Sequence, residues 1–193
     1  MFGRYEAKQE QMLVNLLQQS QVFWDVGAHV GWYSMLAVKT MNEGKIYTFE
    51  PNPGNLKYIQ HHMHVNNAQN MYIQAIALHS SSGQQHFTAN NQQGSISQDG
   101  DLLINTMTAD DFYKKCGIAP DLIKVDIEGA ESEFLEGAID MLSKYKPTIV
   151  LSTHGYKKRD FCIDFLTNLN YKITQLVNNK EHGDYVFLAQ IES

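Results

Sequence analysis

From Gln21 onward the chain alternates short apolar runs with amphipathic stretches, and this alternation limits the possible folds more than any other feature. "QVFWDV" (Gln21 to Val26), "KIYTFE" (Lys45 to Glu50), "MYIQAIAL" (Met71 to Leu78), "PDLIKVDIEG" and "KPTIVLSTHG" read as strands. Each is short, apolar and rich in β-branched or aromatic residues. Between them, "GWYSMLAVKTM" (Gly31 to Met41), "NPGNLKYIQHHMHVNN", "AESEFLEGAIDMLSKY" and "RDFCIDFLTNLN" carry apolar residues at helical spacing. Repeated strand–helix units predict a parallel sheet with helices on both faces, since each parallel crossover lays a helix against the sheet. The last two strands, "YKITQL" and "DYVFLAQ", are joined only by "VNNKEHG", a hairpin-length link, so the final strand should run antiparallel. The expectation is a seven-stranded α/β domain spanning 1–193, preceded by a helix within 1–20 that covers the sheet or contributes to a homodimer contact.

One interval breaks the pattern. "SSSGQQHFTANNQQGSISQDG" (Ser80 to Gly100) is polar and rich in Ser, Asn and Gln, and is expected to be a loop. Loops of that length in compact domains often serve as lids, so 79–107 is expected to be a lid-like insertion facing substrate.

At 193 residues the chain can bury a substantial core, roughly 70% of its unfolded surface. Net charge is −6, and the densest basic stretch, "YKKR" (Tyr156 to Arg159), is too short for a nucleic-acid footprint. Cys116 and Cys162 form no CxxC pattern, which suits a reducing compartment. No secretory signal opens the chain, and no stretch reaches the ~20 apolar residues of a membrane helix. A cytoplasmic protein with neither nucleic-acid nor membrane partners is expected.

Chemistry concentrates where strands end. In an open α/β sheet, ligands lie beyond the carboxyl ends of the strands, near the point where strand order reverses. The first strand ends in "DVGAHVG": Asp25, then a turn in which Gly27 needs freedom from a Cβ and Gly31 permits close approach. His29 occupies the place of a dinucleotide fingerprint's middle glycine, which disfavours NAD or FAD. Glu50, at the tip of the second strand, can accept both hydroxyls of a ribose. Together they indicate a nucleoside-bearing ligand.

In order and at matching separations, "DVGAHVGWYS", "TFEPNP" and "DLIKVDIEGAE" make the chain resemble the FkbM family of class I S-adenosylmethionine-dependent methyltransferases, from about Val22 to the final strand. The resemblance implies a Rossmann-like fold and S-adenosyl-L-methionine as cofactor. It implies that Asp25, Gly27 and Gly31, with Ala28 and His29 in the same turn, face the methionine portion. Glu50 would hold the ribose, Ala75 and Ile76 would lie near the adenine, and Asp126 and Glu128 would line the reaction centre, Asp126 also touching the cofactor. The chain departs from the family at two positions: His29 stands where Asn is more usual, and Ser152 where many members have a carboxylate two residues before the His.

That second departure turns attention to His154, whose ordinary pKa of ~6.5 lets it accept a hydroxyl proton at neutral pH. Lys124 shares the parity of Asp126 and Glu128, so an extended segment would lean all three toward one face, and a Lys–Asp pair is the alternative to a catalytic role. His29 either touches the cofactor carboxylate or packs beside Trp32. His61 and His64 share a helix face without a third ligand, and no metal is expected, although Asp126 with His154 could hold a divalent cation. The expected reaction is O-methylation of a hydroxyl on a sugar or secondary metabolite. N-methylation, a nicotinamide-dependent oxidoreductase and a non-catalytic nucleoside-binding module are the competing readings.

Overall fold

The structure is a computed structural model that describes residues 3–41, 43–90, 93–179 and 184–192. In chain order the elements are α1 (Gly3–Leu17), β1 (Val22–Val26), α2 (Trp32–Thr40), β2 (Lys45–Phe49), α3 (Pro53–Val65), β3 (Met71–Gln74), β4 (Ala77–Leu78), β5 (Gly83–Asn90) and β6 (Gln93–Ile96). They continue with β7 (Leu102–Met107), α4 (Ala109–Cys116), β8 (Leu122–Val125), α5 (Glu131–Glu136), α6 (Ile139–Tyr145), β9 (Thr148–His154), α7 (Tyr156–Asn168), β10 (Lys172–Asn179) and β11 (Asp184–Gln190).

The main sheet has seven strands in the order β10-β11-β9-β8-β1-β2-β3. β1, β2, β3, β8 and β9 run parallel, and β11 runs antiparallel to both of its neighbours, β9 and β10. This is the expected sheet with its last strand reversed. The last four residues of the link expected between the last two strands, 180–183, lie outside the described residues, as do residues 1 and 2 of the expected N-terminal helix.

Strand alternation divides the core into two layers. Trp24, Val26, Ile123, Val125 and Leu151 pack on one side with Phe134 and Met141. Phe23, Ile46, Leu122 and Val150 pack on the other with Leu13, Leu17, Ala37 and Ile59. Trp24 anchors the first layer, its ring 5.3 Å from Phe49 and 5.2 Å from Phe112 in tilted and edge-on geometry. Such pairs contribute about 1 kcal/mol beyond area burial.

Three sequence expectations change. The run Met71 to Leu78 is two strands: β3 completes the main sheet, while β4 joins a second sheet in the order β4-β7-β5-β6. The polar interval from Ser80 to Gly100 is not an irregular loop, because β5 and β6 pair antiparallel within it and β5 pairs with β7. The stretch 131–145 breaks into α5 and α6 at Gly137, where a Cβ would stand 2.1 Å from the carbonyl oxygen of His79.

Candidate active site

The register of the parallel strands decides what meets at their carboxyl ends. Val26 lies level with Phe49 on one side and Val125 on the other, and Val125 is level with Leu151. The residues that follow, Gly27, Glu50, Asp126 and, three positions beyond Leu151, His154, therefore emerge side by side. The first three border a cavity of about 250 Å³ lined by Gly27, Ala28 and His29, by Glu50, Pro51 and Asn55, and by Lys124, Asp126 and Glu128. Ile76, Leu78 and Ile127 supply apolar wall, and Phe87, Gly94, Ser95 and Ile96 reach in from the second sheet.

The glycine turn is built from left-handed residues: Gly27 at φ 79°, His29 at 55° and Gly31 at 85°. The N–H groups of Gly27 and Ala28 both donate to the Phe49 carbonyl, at 3.1 and 3.0 Å, tying the turn to β2. Gly27 has no room for a side chain, since a Cβ would stand 2.0 Å from the carbonyl oxygen of Asp126. At His29 the left-handed backbone aims the N–H at Glu50 Oε2, 2.8 Å away. The other carboxylate oxygen, Oε1, accepts from the Asn52 N–H at 2.9 Å, and Asn52 Oδ1 in turn accepts from the Gly54 N–H to cap α3. Glu50 is thus a buried carboxylate pinned at the cavity edge by two backbone donors. Burial pushes its pKa up, opposed by the Asn52 and His29 N–H groups and by the Asn55 side chain.

Below this rim lie two buried groups of opposite charge. Asp25 and Lys124 are cross-strand partners on β1 and β8. Asp25 Oδ2 accepts from the Ser34 hydroxyl at 2.6 Å, and Ser34 shares a hydrogen bond of 2.9 Å with Thr48. Burial raises the Asp25 pKa against the opposing pull of Lys124. Burial also pulls Lys124 down, but Asp126 and Asp25 outweigh it and hold the ammonium above its ordinary value. Lys124 Nζ lies 3.3 Å from Asp126 Oδ2 and 4.6 Å from the centre of the Tyr33 ring. It is a buried ammonium paired with Asp126, and the strand end that carries it is not the solvated one that the Lys–Asp alternative supposed.

On the far side of Asp126 stands His154. Its Nδ1 is 2.7 Å from Glu131 Oε1, and its Nε2 is 3.8 Å from Asp126 Oδ1 and 3.7 Å from Glu128 Oε2. The Glu131 contact, reinforced by Glu128 and Asp126 against burial, raises the imidazole pKa to about 9. His154 is therefore protonated across neutral pH, contrary to the ordinary value expected from the sequence. Charges alternate from one buried end to the other, Asp25, Lys124, Asp126, His154, Glu131, across three adjacent strands and the start of α5. The chain is no longer extended beyond Val125: Glu128 sits at φ 49°, yet its carboxyl still reaches the cavity.

Most expected site residues come together here. Gly27, Ala28, His29, Glu50, Ile76, Lys124, Asp126 and Glu128 all line the cavity, with His154 alongside. Ala75 is exposed and does not line it, because β3 ends at Gln74 and the following residues, Ile76 to Leu78, turn inward instead. Asp25 and Gly31 stand behind the wall, Asp25 fully buried and Gly31 starting α2. Sequence reasoning passed over Glu131, although a signal was present. Glu131, Phe134, Leu135 and Ala138 fall at helical spacing on one buried face, and a carboxylate there demands a partner.

The sheet order, the reversed strand and a cradle at the ends of β1 and β2 define the class I methyltransferase fold. The solved relatives agree. The methyltransferase FkbM from Methylobacillus flagellatus KT superposes with a TM-score of 0.65 at 20% identity, covering 88% of this chain and 43% of that one. The precorrin-6y C5,15-methyltransferase from Geobacter metallireducens GS-15 gives 0.63 at 18% identity, covering 96% and 88%. The chain belongs to the FkbM methyltransferase family, whose domain matches residues 25–179. It is 29% identical over 161 residues to the hexuronic acid methyltransferase AglP of Haloferax volcanii, an alignment covering 78% of this chain and 65% of that relative's length. Among the described residues no helix is long and apolar enough to cross a membrane.

Proposed function

We propose that this methyltransferase uses S-adenosylmethionine to methylate an oxygen of a small, sugar-like acceptor. The observation that carries the reading is the Glu50 carboxylate, fixed by the N–H groups of His29 and Asn52 at the edge of a cavity whose opposite wall bears Asp126 and Glu128. Burial is what raises its pKa, and the two hydroxyls of a ribose would add donors that favour the charged form. Ile76, Leu78 and Ile127 give an adenine its apolar walls. Asp126 and Glu128 bring negative charge to the side where a sulfonium would stand. An oxygen acceptor is favoured by the resemblance to a hexuronic acid methyltransferase, since a hexuronic acid offers only oxygen nucleophiles. The acidic chain, with its net charge of −6, supports a small acceptor over a nucleic acid.

The cofactor, when bound, supplies a methyl group already activated on sulfur. The protein's part is alignment and proton removal. His154 in its neutral form is the proton acceptor of this reading. With Nδ1–H directed at Glu131, the Nε2 lone pair faces Asp126 and Glu128 across distances longer than a direct hydrogen bond, where an acceptor hydroxyl can intervene. The raised pKa makes the neutral imidazole a strong base, and its neutral fraction grows as pH approaches 9. Lys124 holds Asp126 in place from below.

Isothermal titration calorimetry with S-adenosylhomocysteine and with NADH tests the reading. The expected result is saturable binding of the first only, weakened at least ~10-fold in Glu50→Ala, the order of one lost charge-assisted hydrogen bond. Binding of NADH instead, or an unchanged affinity in Glu50→Ala, rejects it.

A further inference from the structure

Glu131 is fully buried and does not line the cavity, yet it makes the closest polar contact to the His154 ring. Its Oε1 receives His154 Nδ1 at 2.7 Å and the Gly129 N–H at 2.9 Å. Its Oε2 is buried without a hydrogen-bond partner among the described residues. A buried carboxyl with one oxygen bare is costly to leave uncompensated, and the imidazole on its other oxygen is the group that compensates it. The same negative field reaches Cys162, whose thiol is pushed up to about 12 by burial first and Glu131 next.

We propose that Glu131 is a positioning residue for proton transfer: it holds His154 as the Nδ1–H tautomer and turns Nε2 toward the carboxylates of Asp126 and Glu128 at the cavity. A neutral imidazole has one donor and one acceptor nitrogen, so a carboxylate on Nδ1 leaves Nε2 as the acceptor. The backbone favours the same arrangement. Glu131 opens α5, and the left-handed residues before it, Glu128 at φ 49° and Gly129 at 96°, bend the chain so that the Glu128 and Glu131 carboxyls flank opposite nitrogens of one ring. Other charged groups around His154 are engaged elsewhere or weigh less. Asp126 is shared with Lys124, and Lys158 on α7 is bound to Glu133 at 2.8 Å. Asp184, the cross-strand partner of His154 on β11, makes no ion pair with the ring. The tautomer and its control stand on this geometry alone, while their catalytic consequence rests on the methyl-transfer reading above.

The test is a pH titration of the His154 imidazole by ¹⁵N-detected NMR on the full chain without ligand, in the wild type and in Glu131→Gln. The wild type is expected to titrate near pH 9 and to carry its neutral-form proton on Nδ1. Glu131→Gln is expected to fall toward the ordinary value of ~6.5 and to lose the Nδ1 preference. With turnover measured beside it, the rising limb of the pH–rate profile should move down with the NMR midpoint while KM for S-adenosylmethionine holds. A wild-type proton on Nε2, or a midpoint that Glu131→Gln moves by less than about half a unit, overturns the proposal. Should Glu131→Gln fail to fold, Glu131→Asp keeps the charge but withdraws it by one methylene. An intermediate midpoint then supports the proposal, and an unchanged one overturns it. A shifted midpoint in a protein that does not bind S-adenosylhomocysteine sinks the methyl-transfer reading and leaves the Glu131–His154 pair standing.

Discussion

At the scale of single residues, the site is held by backbone as much as by side chains, and this governs what the sequence disclosed. Gly27 and Glu50 were legible because a tight turn needs a residue without Cβ and because an acid at a strand tip stands out from the apolar run before it. His29 was legible only as a side chain, whereas its contribution to Glu50 is an N–H aimed by a left-handed backbone. His and Asn are among the non-glycine residues that enter that conformation with least strain. The family's usual Asn and this chain's His therefore meet the same backbone need. The two glycines of the turn differ in what they tolerate. Gly27→Ala places a Cβ 2.0 Å from a backbone oxygen at positive φ, while Gly31→Ala meets Ile59 Cγ1 at 3.2 Å, a side chain that can yield. Urea denaturation should show Gly27→Ala losing roughly 3 kcal/mol or more, and Gly31→Ala about 1–2 kcal/mol. Equal losses would mean that the Asp126 carbonyl moves freely, and that the turn is not locked to β8 as described.

At the scale of elements, the main sheet was readable because its buried strands carry uninterrupted apolar runs, and the reversed strand followed from a link too short for a helix. The second sheet was not readable. β5 is "GQQHFTAN", with Phe87 buried in a polar sequence, so neither alternation nor propensity marks it. Pairing with β7, whose Ile104 and Thr106 are buried, overrides the local preference. The helical repeat of Phe134, Ala138 and Met141 likewise concealed the break at Gly137, where the His79 carbonyl approaches too closely for a side chain. The hairpin of β5 and β6 brings Phe87, Gly94, Ser95 and Ile96 to the cavity, on the wall formed by the second sheet. Gly94 is filled by its neighbour, since a Cβ there would stand 2.2 Å from Phe87 Cζ. Gly94→Val must displace that ring. If the hairpin forms the acceptor side, KM for the acceptor should rise by about 10-fold or more, while S-adenosylhomocysteine affinity changes by less than about 3-fold. The reverse pattern would assign the hairpin to the cofactor.

At the scale of the whole molecule, the alternating charges that run from Asp25 to Glu131 join three strands and α5 into one electrostatic unit, and its cost and benefit depend on pH. Replacing a partner leaves a buried charge uncompensated, which is why such networks register in stability as well as in catalysis. His154 gives the sign. Its pKa is near 9 in the folded chain and ~6.5 when unfolded, so the folded state holds the proton more tightly. That contribution is fully present below about pH 6.5 and disappears as pH rises through about 9. The difference of pKa values corresponds to roughly 3 kcal/mol at most, reduced by solvent because the imidazole is 27% exposed. Denaturant unfolding at a series of pH values should therefore show the wild type losing about 2 kcal/mol more than His154→Gln between pH 6 and 10. Lys, Tyr and Cys titrations common to both proteins cancel in that difference. Parallel stability curves for the two proteins would mean that the histidine is not held in its charged form by the acids around it, and the alternating network would then end at Asp126.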